Sequence, residues 1–354
     1  MTDWMDTARR QFGRGLDALG LNADEAPHRV VAEFAGARLR AYHDEPSSCV
    51  PTVLIVQAPF KRAYIWDLLP EVSVVCRCLS RGYRVYLLEW LDPTAQEDAF
   101  GLAEYADRLP RAALGAIRNE GSSLAPILIG HSLGGTFAAI FAALHPKLIA
   151  GLALLDAPLA FGEHGGPLAR AVRSIPHASV MRNAAGSPVP GSVINALSVA
   201  AAPDAFQLQR LADFTESLLN PLALAIHLRV ERWTYDEFPL PGQLFEDVLE
   251  QLYREDRFMR GTLQVGAKQA SIGTLRTPVM AVTNPPGRVV PPCSILVGLK
   301  AVPNLSFQVL EYEADRGPML QHVGPLVSPL SHERLWPTIL DWMAEVSANS
   351  SSRT

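Results

Sequence analysis

The 354-residue sequence predicts an α/β fold with a mostly parallel central sheet. Short apolar runs suited to buried strands alternate with helical patterns over residues 28–157. The same alternation resumes after residue 275, beyond a long stretch that consists mostly of predicted loops and helices. We therefore expect one extended domain whose sheet is interrupted by an inserted helical cap.

The elements follow from the spacing of apolar residues along the chain. Trp4, Ala8, Phe12 and Leu16 recur at helical spacing and predict an opening amphipathic helix, and the alternation around Gly36 predicts a short hairpin. Strands are expected at 52–57, 84–89, 126–129, 149–156, 277–283 and 306–312, and helices at 68–80, 99–118, 136–144 and 334–346. The predicted units are 1–157 for the N-terminal helix and first part of the core, 158–275 for the cap, and 276–354 for the rest of the core.

The most informative stretch is PILIGHSLGG, residues 126–135, in which a buried strand runs into a G-x-S-x-G motif. A serine on a tight turn between strand and helix needs small neighbours, and Gly130 and Gly134 supply them. The apolar helix that follows is the context that the motif requires. Ser132 is therefore the candidate nucleophile, against the simpler interpretation of a glycine-rich turn that only begins a helix.

A serine hydroxyl needs a histidine as general base, and in this architecture the histidine comes last in the chain. His322 follows the last predicted strand, lies in a predicted loop and precedes the closing helix. His332 is the second candidate, although its place in S-x-E before a helix is more simply that of a surface residue.

The carboxylate that would orient the histidine is less well defined. The loop after strand 277–283 reads NPPGRVVPP and contains no acid. Asp156 ends the strand after the nucleophile helix and could reach His322 from the same edge of the sheet, or it could simply start a turn. Glu313 and Asp315 are weaker candidates on the histidine's own connection.

Two backbone N–H groups are expected to form an oxyanion hole. One belongs to Leu133, directly after the nucleophile. The other comes from the loop Ala58-Pro59-Phe60-Lys61, where proline cannot donate, so we choose Phe60.

Composition restricts partners and location. The net charge of −5 without a basic patch argues against nucleic acid, and the absence of a P-loop or dinucleotide fingerprint argues against a separate cofactor. No leader and no apolar run of transmembrane length is evident, so we expect a cytoplasmic protein without a membrane span. The cysteines lack metal-ligand spacing and are expected to be reduced, buried thiols: Cys49, Cys76, Cys78 and Cys293.

Three segments together, residues 54–93, 130–146 and 231–282, resemble the catalytic domain of polyhydroxyalkanoate synthases, especially the shorter two-subunit types. The middle segment, GHSLGGTFAAIFAALHP, would fit any α/β-hydrolase, whereas the other two are more particular. The resemblance implies an α/β-hydrolase core, a mobile cap over a buried site, and acyl transfer from hydroxyacyl-CoA thioesters. It also implies a homodimer or a partner subunit, and it matches the family's histidine to His322.

The chain departs from this family at two positions. The synthases have a cysteine nucleophile where this chain has Ser132, and an aspartate where it has Gly287. Since a serine forms an oxyester that water or an alcohol must release, the exchange favours hydrolysis or a single acyl transfer. Three readings stay open: a serine-dependent acyl hydrolase or acyltransferase on ester or thioester substrates, a polyester synthase with a serine nucleophile, and a non-catalytic relative that binds a partner or polymer.

Overall fold

The computed structural model describes residues 3–43, 50–313 and 319–351. Its main feature is an eight-stranded sheet with the order β1-β2-β4-β3-β5-β6-β9-β10. The strands β3 to β6, β9 and β10 are parallel to one another, whereas β1 and β2 form an antiparallel hairpin against β4. The sheet strands are β1 Arg29–Phe34, β2 Ala37–Ala41, β3 Thr52–Val56, β4 Arg84–Trp90, β5 Ile127–His131, β6 Gly151–Leu155, β9 Val279–Thr283 and β10 Phe307–Glu311, and a separate hairpin joins β7 Leu263–Val265 to β8 Lys268–Ala270.

Helices cover both faces of this sheet, which confirms the predicted α/β-hydrolase architecture. Alternate residues of β5 face opposite sides: Leu128 packs into one apolar core, whereas Ile127 and Ile129 pack into the other. The helices are α1 Asp3–Asp17, α2 Val74–Ser80, α3 Leu109–Asn119, α4 Ser132–Leu144, α5 Gly166–Ser174, α6 Ala178–Ala185, α7 Gly191–Ala201, α8 Gln209–Ser217, α9 Pro221–Thr234, α10 Gly242–Glu246, α11 Arg257–Arg260, α12 Pro292–Lys300, α13 Met319–Val327 and α14 Trp336–Ser351.

The helix predicted at 68–80 is shorter than expected. The structure has a 3₁₀ turn at Pro70–Val72 and begins α2 only at Val74, where the Ser73 side chain accepts a hydrogen bond from the Cys76 N–H. Proline is tolerated at the start of a helical turn and weakens a helix interior, which agrees with a separate turn that begins at Pro70. Cys76 and Cys78 lie on α2 as predicted, and Cys78 is buried, but Cys293 is exposed, so the expectation of a buried thiol is wrong there. Cys49 lies outside the described residues.

The segment between β6 and β9 carries α5 to α11. It ends in a feature that the sequence did not indicate, the β7–β8 hairpin, which packs against the core helix α4. Lys268 of the hairpin forms an ion pair with Asp107 (2.7 Å), and the Thr274 hydroxyl donates to the Ala143 carbonyl. The end of the predicted cap is therefore fastened to the core, and the division at 158 and 275 stays a prediction. None of the helices in the described residues is long and apolar enough to cross a membrane.

The sheet order reverses between β3 and β5, because the chain moves from β3 to β4 on one side and returns to β5 on the other. In parallel α/β sheets, the crevice at the carboxyl ends of the strands that flank such a reversal is the usual ligand site. The loop after β3 and Ser132 after β5 both lie there.

Close packing at this point predicts a large cost for one added methyl group. A Cβ at Gly134 would lie 2.4 Å from the backbone oxygen of Val56, which cannot move without disturbing β3. We expect Gly134→Ala to lower the free energy of unfolding by about 1–3 kcal/mol, measured by chemical denaturation. Gly115→Ala is the control, since its Cβ would meet no atom within 4 Å on α3. It should stabilise by up to about 1 kcal/mol, and equal effects of the two changes would refute this account of the packing.

Candidate active site

Ser132 lies where strand β5 turns into helix α4. Its φ of 53° places it in the left-handed region, which is costly for a residue other than glycine. A Cβ at Gly130 would lie 2.5 Å from Gly135 Cα, so only glycine lets the strand and the helix approach each other this closely. This strained turn presents Ser132 to a cavity at the carboxyl edge of the sheet.

Asp156 directly follows strand β6 and also has a positive φ, of 46°. The Asp156 side chain is 1% exposed, and its Oδ2 lies 2.8 Å from His322 Nδ1. The structure therefore brings together the two residues that the sequence singled out as acid and base. The backbone N–H of Asp156 donates to the Val282 carbonyl (3.0 Å), which fixes the residue against β9.

His322 does not lie in a loop, as predicted, but in helix α13. The helix contains Pro325, which provides no N–H for the carbonyl four residues earlier and weakens the turn that carries His322. The sequence LQHVGP resembles a loop because of its glycine and proline, whereas tertiary packing imposes the helix. Val323 and Leu326, which follow the histidine in α13, are buried in the core.

Burial dominates the electrostatics of the pair. It raises the pKa of Asp156 to about 8 and lowers the pKa of His322 to about 4. No described residue donates a hydrogen bond to Asp156 Oδ1, so His322 is the main partner of this carboxylate. Because one hydrogen bond joins the two groups, we expect their protonation to be coupled. When the pair loses the one proton that the two groups share, Asp156 is charged and His322 is neutral.

The two residues predicted for the oxyanion hole border the same cavity. Leu133 follows Ser132 on α4, and Phe60 lies in the loop after β3 with a φ of 57°. The Phe60 carbonyl accepts a hydrogen bond from the Phe238 N–H (3.2 Å), and the Trp90 indole donates to the Gln57 carbonyl (2.8 Å). These contacts hold the loop beside the serine turn.

The cavity has a volume of about 330 Å³ and a mostly apolar wall. Helices α5, α7 and α9 and the segment after α10 contribute side chains to it, including Val172, Leu197, Val230 and Val248. Six aromatic residues between positions 233 and 258 could line an acyl pocket, although packing onto the core is the simpler expectation from sequence. Three of them line the cavity and also pack on the apolar core: Trp233, Phe245 and Tyr253.

Cationic side chains outnumber acidic ones in the cavity wall. Arg9, Lys61, Arg62, Arg210 and Arg288 line it, and each forms an ion pair with a carboxylate that is not part of the wall. Lys61 and Arg9 share one partner, Glu237, at 2.7 and 3.1 Å. Sequence reasoning missed this group, because Arg9 and Glu237 are 228 positions apart and no local motif links them.

The other candidates lie elsewhere. His332 is not a surface residue as expected: it is buried, its Nε2 donates to the Leu326 carbonyl (2.7 Å), and it does not line the cavity. Glu313 is exposed and faces Arg334, and Asp315 lies outside the described residues. Gly287 lines the cavity but supplies no carboxylate. Within the described residues, no group of His, Cys, Asp and Glu side chains is arranged to hold a metal ion.

Residues 53–176 match the family model described as the alpha/beta hydrolase fold. The chain is 27% identical to the poly(3-hydroxyalkanoate) polymerase subunit PhaC of Haloferax mediterranei over 94% of this chain and 67% of that protein. It is also 25% identical to the PhaC subunit of Allochromatium vinosum over 98% of this chain and 97% of that protein. The chain is similar to these polyhydroxyalkanoate polymerases over most of its length, and it has the α/β-hydrolase fold. It is an enzyme of the hydrolase and acyltransferase type.

Solved structures agree with the fold of this synthase-like hydrolase. A carboxylesterase structure from Nitrososphaera gargenis superimposes with a TM-score of 0.55 at 16% identity, covering 91% of this chain and all of that one. A monoglyceride lipase structure from Saccharomyces cerevisiae gives a TM-score of 0.57 at 11% identity, with coverage of 92% and 96%. At these identities the likeness establishes the fold alone.

The buried pair predicts a proton uptake that nuclear magnetic resonance can measure. As the pH falls through about 8, the pair gains one proton, which is held either by the Asp156 carboxyl or by the His322 imidazole. His322 Nε2 carries a hydrogen in both cases. We expect the ¹⁵N shift of His322 Nε2 to titrate near pH 8 in the native protein. In Asp156→Asn the same titration should move several units lower, because only the desolvated imidazole remains. Identical titrations in the two proteins would show that the residues are not coupled.

Proposed function

We propose that the protein is a serine-dependent acyl hydrolase or acyltransferase that forms an acyl-enzyme on Ser132. The observation that supports this most strongly is the 2.8 Å contact between Asp156 and His322 beside the cavity that Ser132 lines. A buried carboxylate behind a histidine, next to a serine on a strained turn, is the arrangement that activates a hydroxyl nucleophile.

In the proposed mechanism, His322 Nδ1–H donates to Asp156 and leaves Nε2 available as a base. Nε2 takes the Ser132 proton as the serine oxygen attacks the substrate carbonyl. The Leu133 and Phe60 N–H groups stabilise the developing oxyanion. The protonated His322 then donates to the leaving alcohol or thiol, and water or an acceptor alcohol repeats the sequence to release the acyl group.

The cavity supports an acyl ester or thioester of medium size as substrate. Its mostly apolar wall suits an acyl chain. The relatives' printed name, poly(3-hydroxyalkanoate) polymerase, suggests hydroxyacyl units. Hydroxyacyl-CoA or polyhydroxyalkanoate-type esters are therefore the proposed substrates. A cytoplasmic location and a homodimer or partner subunit stay predictions.

Ser132 favours hydrolysis or a single transfer over polymerisation, because it forms an oxyester that water or an alcohol must release, whereas a thiolate exchanges readily with CoA thioesters. A second candidate is a polyester synthase with a serine nucleophile. It is favoured by likeness to PhaC subunits over nearly the whole chain, including 98% coverage against the Allochromatium vinosum protein. The fate of the acyl group separates the two functions.

Intact-protein mass spectrometry after brief incubation with 3-hydroxybutyryl-CoA, and separately with a p-nitrophenyl ester, tests the proposal. We expect an acyl adduct or turnover in the native protein and neither in Ser132→Ala, because the alanine lacks the attacking oxygen. Free 3-hydroxybutyrate would identify a hydrolase, and oligomers would identify a synthase. Ser132→Cys is the matched variant, and we expect it to yield more oligomer than the native protein.

The outcome that would contradict the proposal is also specific. If neither substrate acylates the native protein and a fluorophosphonate fails to label Ser132, the non-catalytic reading takes its place. Turnover that survives in Ser132→Ala would place the nucleophile elsewhere.

The role of the acid predicts a second mutational result. Asp156→Asn should lower kcat by about 10⁴-fold, because an amide can hold His322 in the wrong tautomer. Adding Gly287→Asp to this variant should not restore kcat. A Cβ at position 287 would lie 2.9 Å from the Asn284 backbone oxygen, and Nδ1 of His322 faces residue 156. Steady-state kinetics of both variants measure this. Recovery to within tenfold of native would move the acid to position 287.

A further inference from the structure

His131, the residue directly before Ser132, makes a contact that the mechanism above does not use. Its side chain is buried, and its Nε2 lies 2.7 Å from the backbone oxygen of His322. The two imidazole rings are 4.6 Å apart and tilted by 47°. The turn that carries the serine thus holds the residue that carries the base, across 191 positions of sequence.

The partner of this contact determines the tautomer of His131. A backbone oxygen only accepts, so His131 Nε2 must carry the hydrogen and donate it. Burial also lowers the pKa of His131 to about 3, which keeps the ring neutral. A neutral ring matters at this position because a second positive charge would oppose protonation of His322 during turnover.

We propose that His131 is a positioning residue that fixes the backbone of His322, so that the imidazole keeps its direction while Asp156 holds Nδ1. This inference rests on the proposed function of Ser132 and His322. Asp156 anchors the ring of His322 and His131 anchors its main chain, so His322 is held at two separate points.

Helix α13 explains why a second anchor is needed. Pro325 cannot donate to the carbonyl four residues before it, so the helix is weakest in the turn that contains His322. The hydrogen bond from His131 adds a donor to this turn from the rigid end of β5. Misplacement of a catalytic group by about 1 Å can reduce the rate about 10²-fold, which is the size of effect expected if the anchor is lost.

Two substitutions separate the hydrogen bond from the packing of the ring. His131→Phe retains an aromatic ring but removes the donor, and His131→Gln removes the ring but places an amide N–H at similar reach. His131→Leu is a second variant without a donor, in case the phenylalanine does not fold. Circular dichroism melts report on folding, and the kinetics use the p-nitrophenyl ester and the rate of fluorophosphonate labelling of Ser132.

We expect His131→Phe and His131→Leu to lower kcat and the labelling rate by about 10²-fold with KM within about threefold of native. His131→Gln should recover most of kcat, although it restores none of the ring packing. Native kcat in the donor-free variants, or a glutamine variant no faster than they are, would overturn the positioning role. Ser132→Ala is measured in parallel. If it retains turnover, the proposed function fails and this inference fails with it. If it is inactive while His131→Phe is fully active, only the inference is rejected.

Discussion

The hydrogen bond between Asp156 and His322 is the interaction on which the rest of the site depends. It joins the end of β6 to α13 and gives a buried carboxylate its partner. Around it the backbone is strained: Phe60, Ser132 and Asp156 all have positive φ at the carboxyl edge of the sheet. Such conformations cost about 1–3 kcal/mol each and persist only where the surrounding structure holds them. The strands β3, β5 and β6, buried on both faces, supply that support.

Much of the fold and the main site residues followed from local signals in the sequence. Continuous apolar runs predict parallel strands, and the glycines around Ser132 predict the turn. Other features depend on contacts between distant segments. Glycine and proline near His322 suggested a loop, but burial of Val323 and Leu326 favours a helix. His332 looked like a surface residue, yet it packs on Trp336 within the core. The cavity cations and His131 were missed because their partners are fixed only by tertiary structure.

The two departures from the synthase pattern change different parts of the chemistry. In the proposed mechanism Ser132 changes the intermediate, because the acyl group is held as an oxyester that water or an alcohol must release, and not as a thioester. Gly287 lacks the carboxylate that the synthases have at this position. The geometry accounts for that loss, because Asp156 already contacts Nδ1 of His322. A decayed site would not be expected to keep a carboxylate in contact with the histidine. The arrangement therefore fits a working enzyme whose acid comes from β6.

A double-mutant cycle tests most directly whether Asp156 and His322 act as one unit on Ser132. The labelling rate of Ser132 by a fluorophosphonate would be measured in native protein, Asp156→Asn, His322→Ala and the double variant. Residues that act as a unit show strongly non-additive losses. We expect the double variant to be no slower than His322→Ala alone. Losses that multiply across the two sites would contradict it, because they would mean that each residue acts independently.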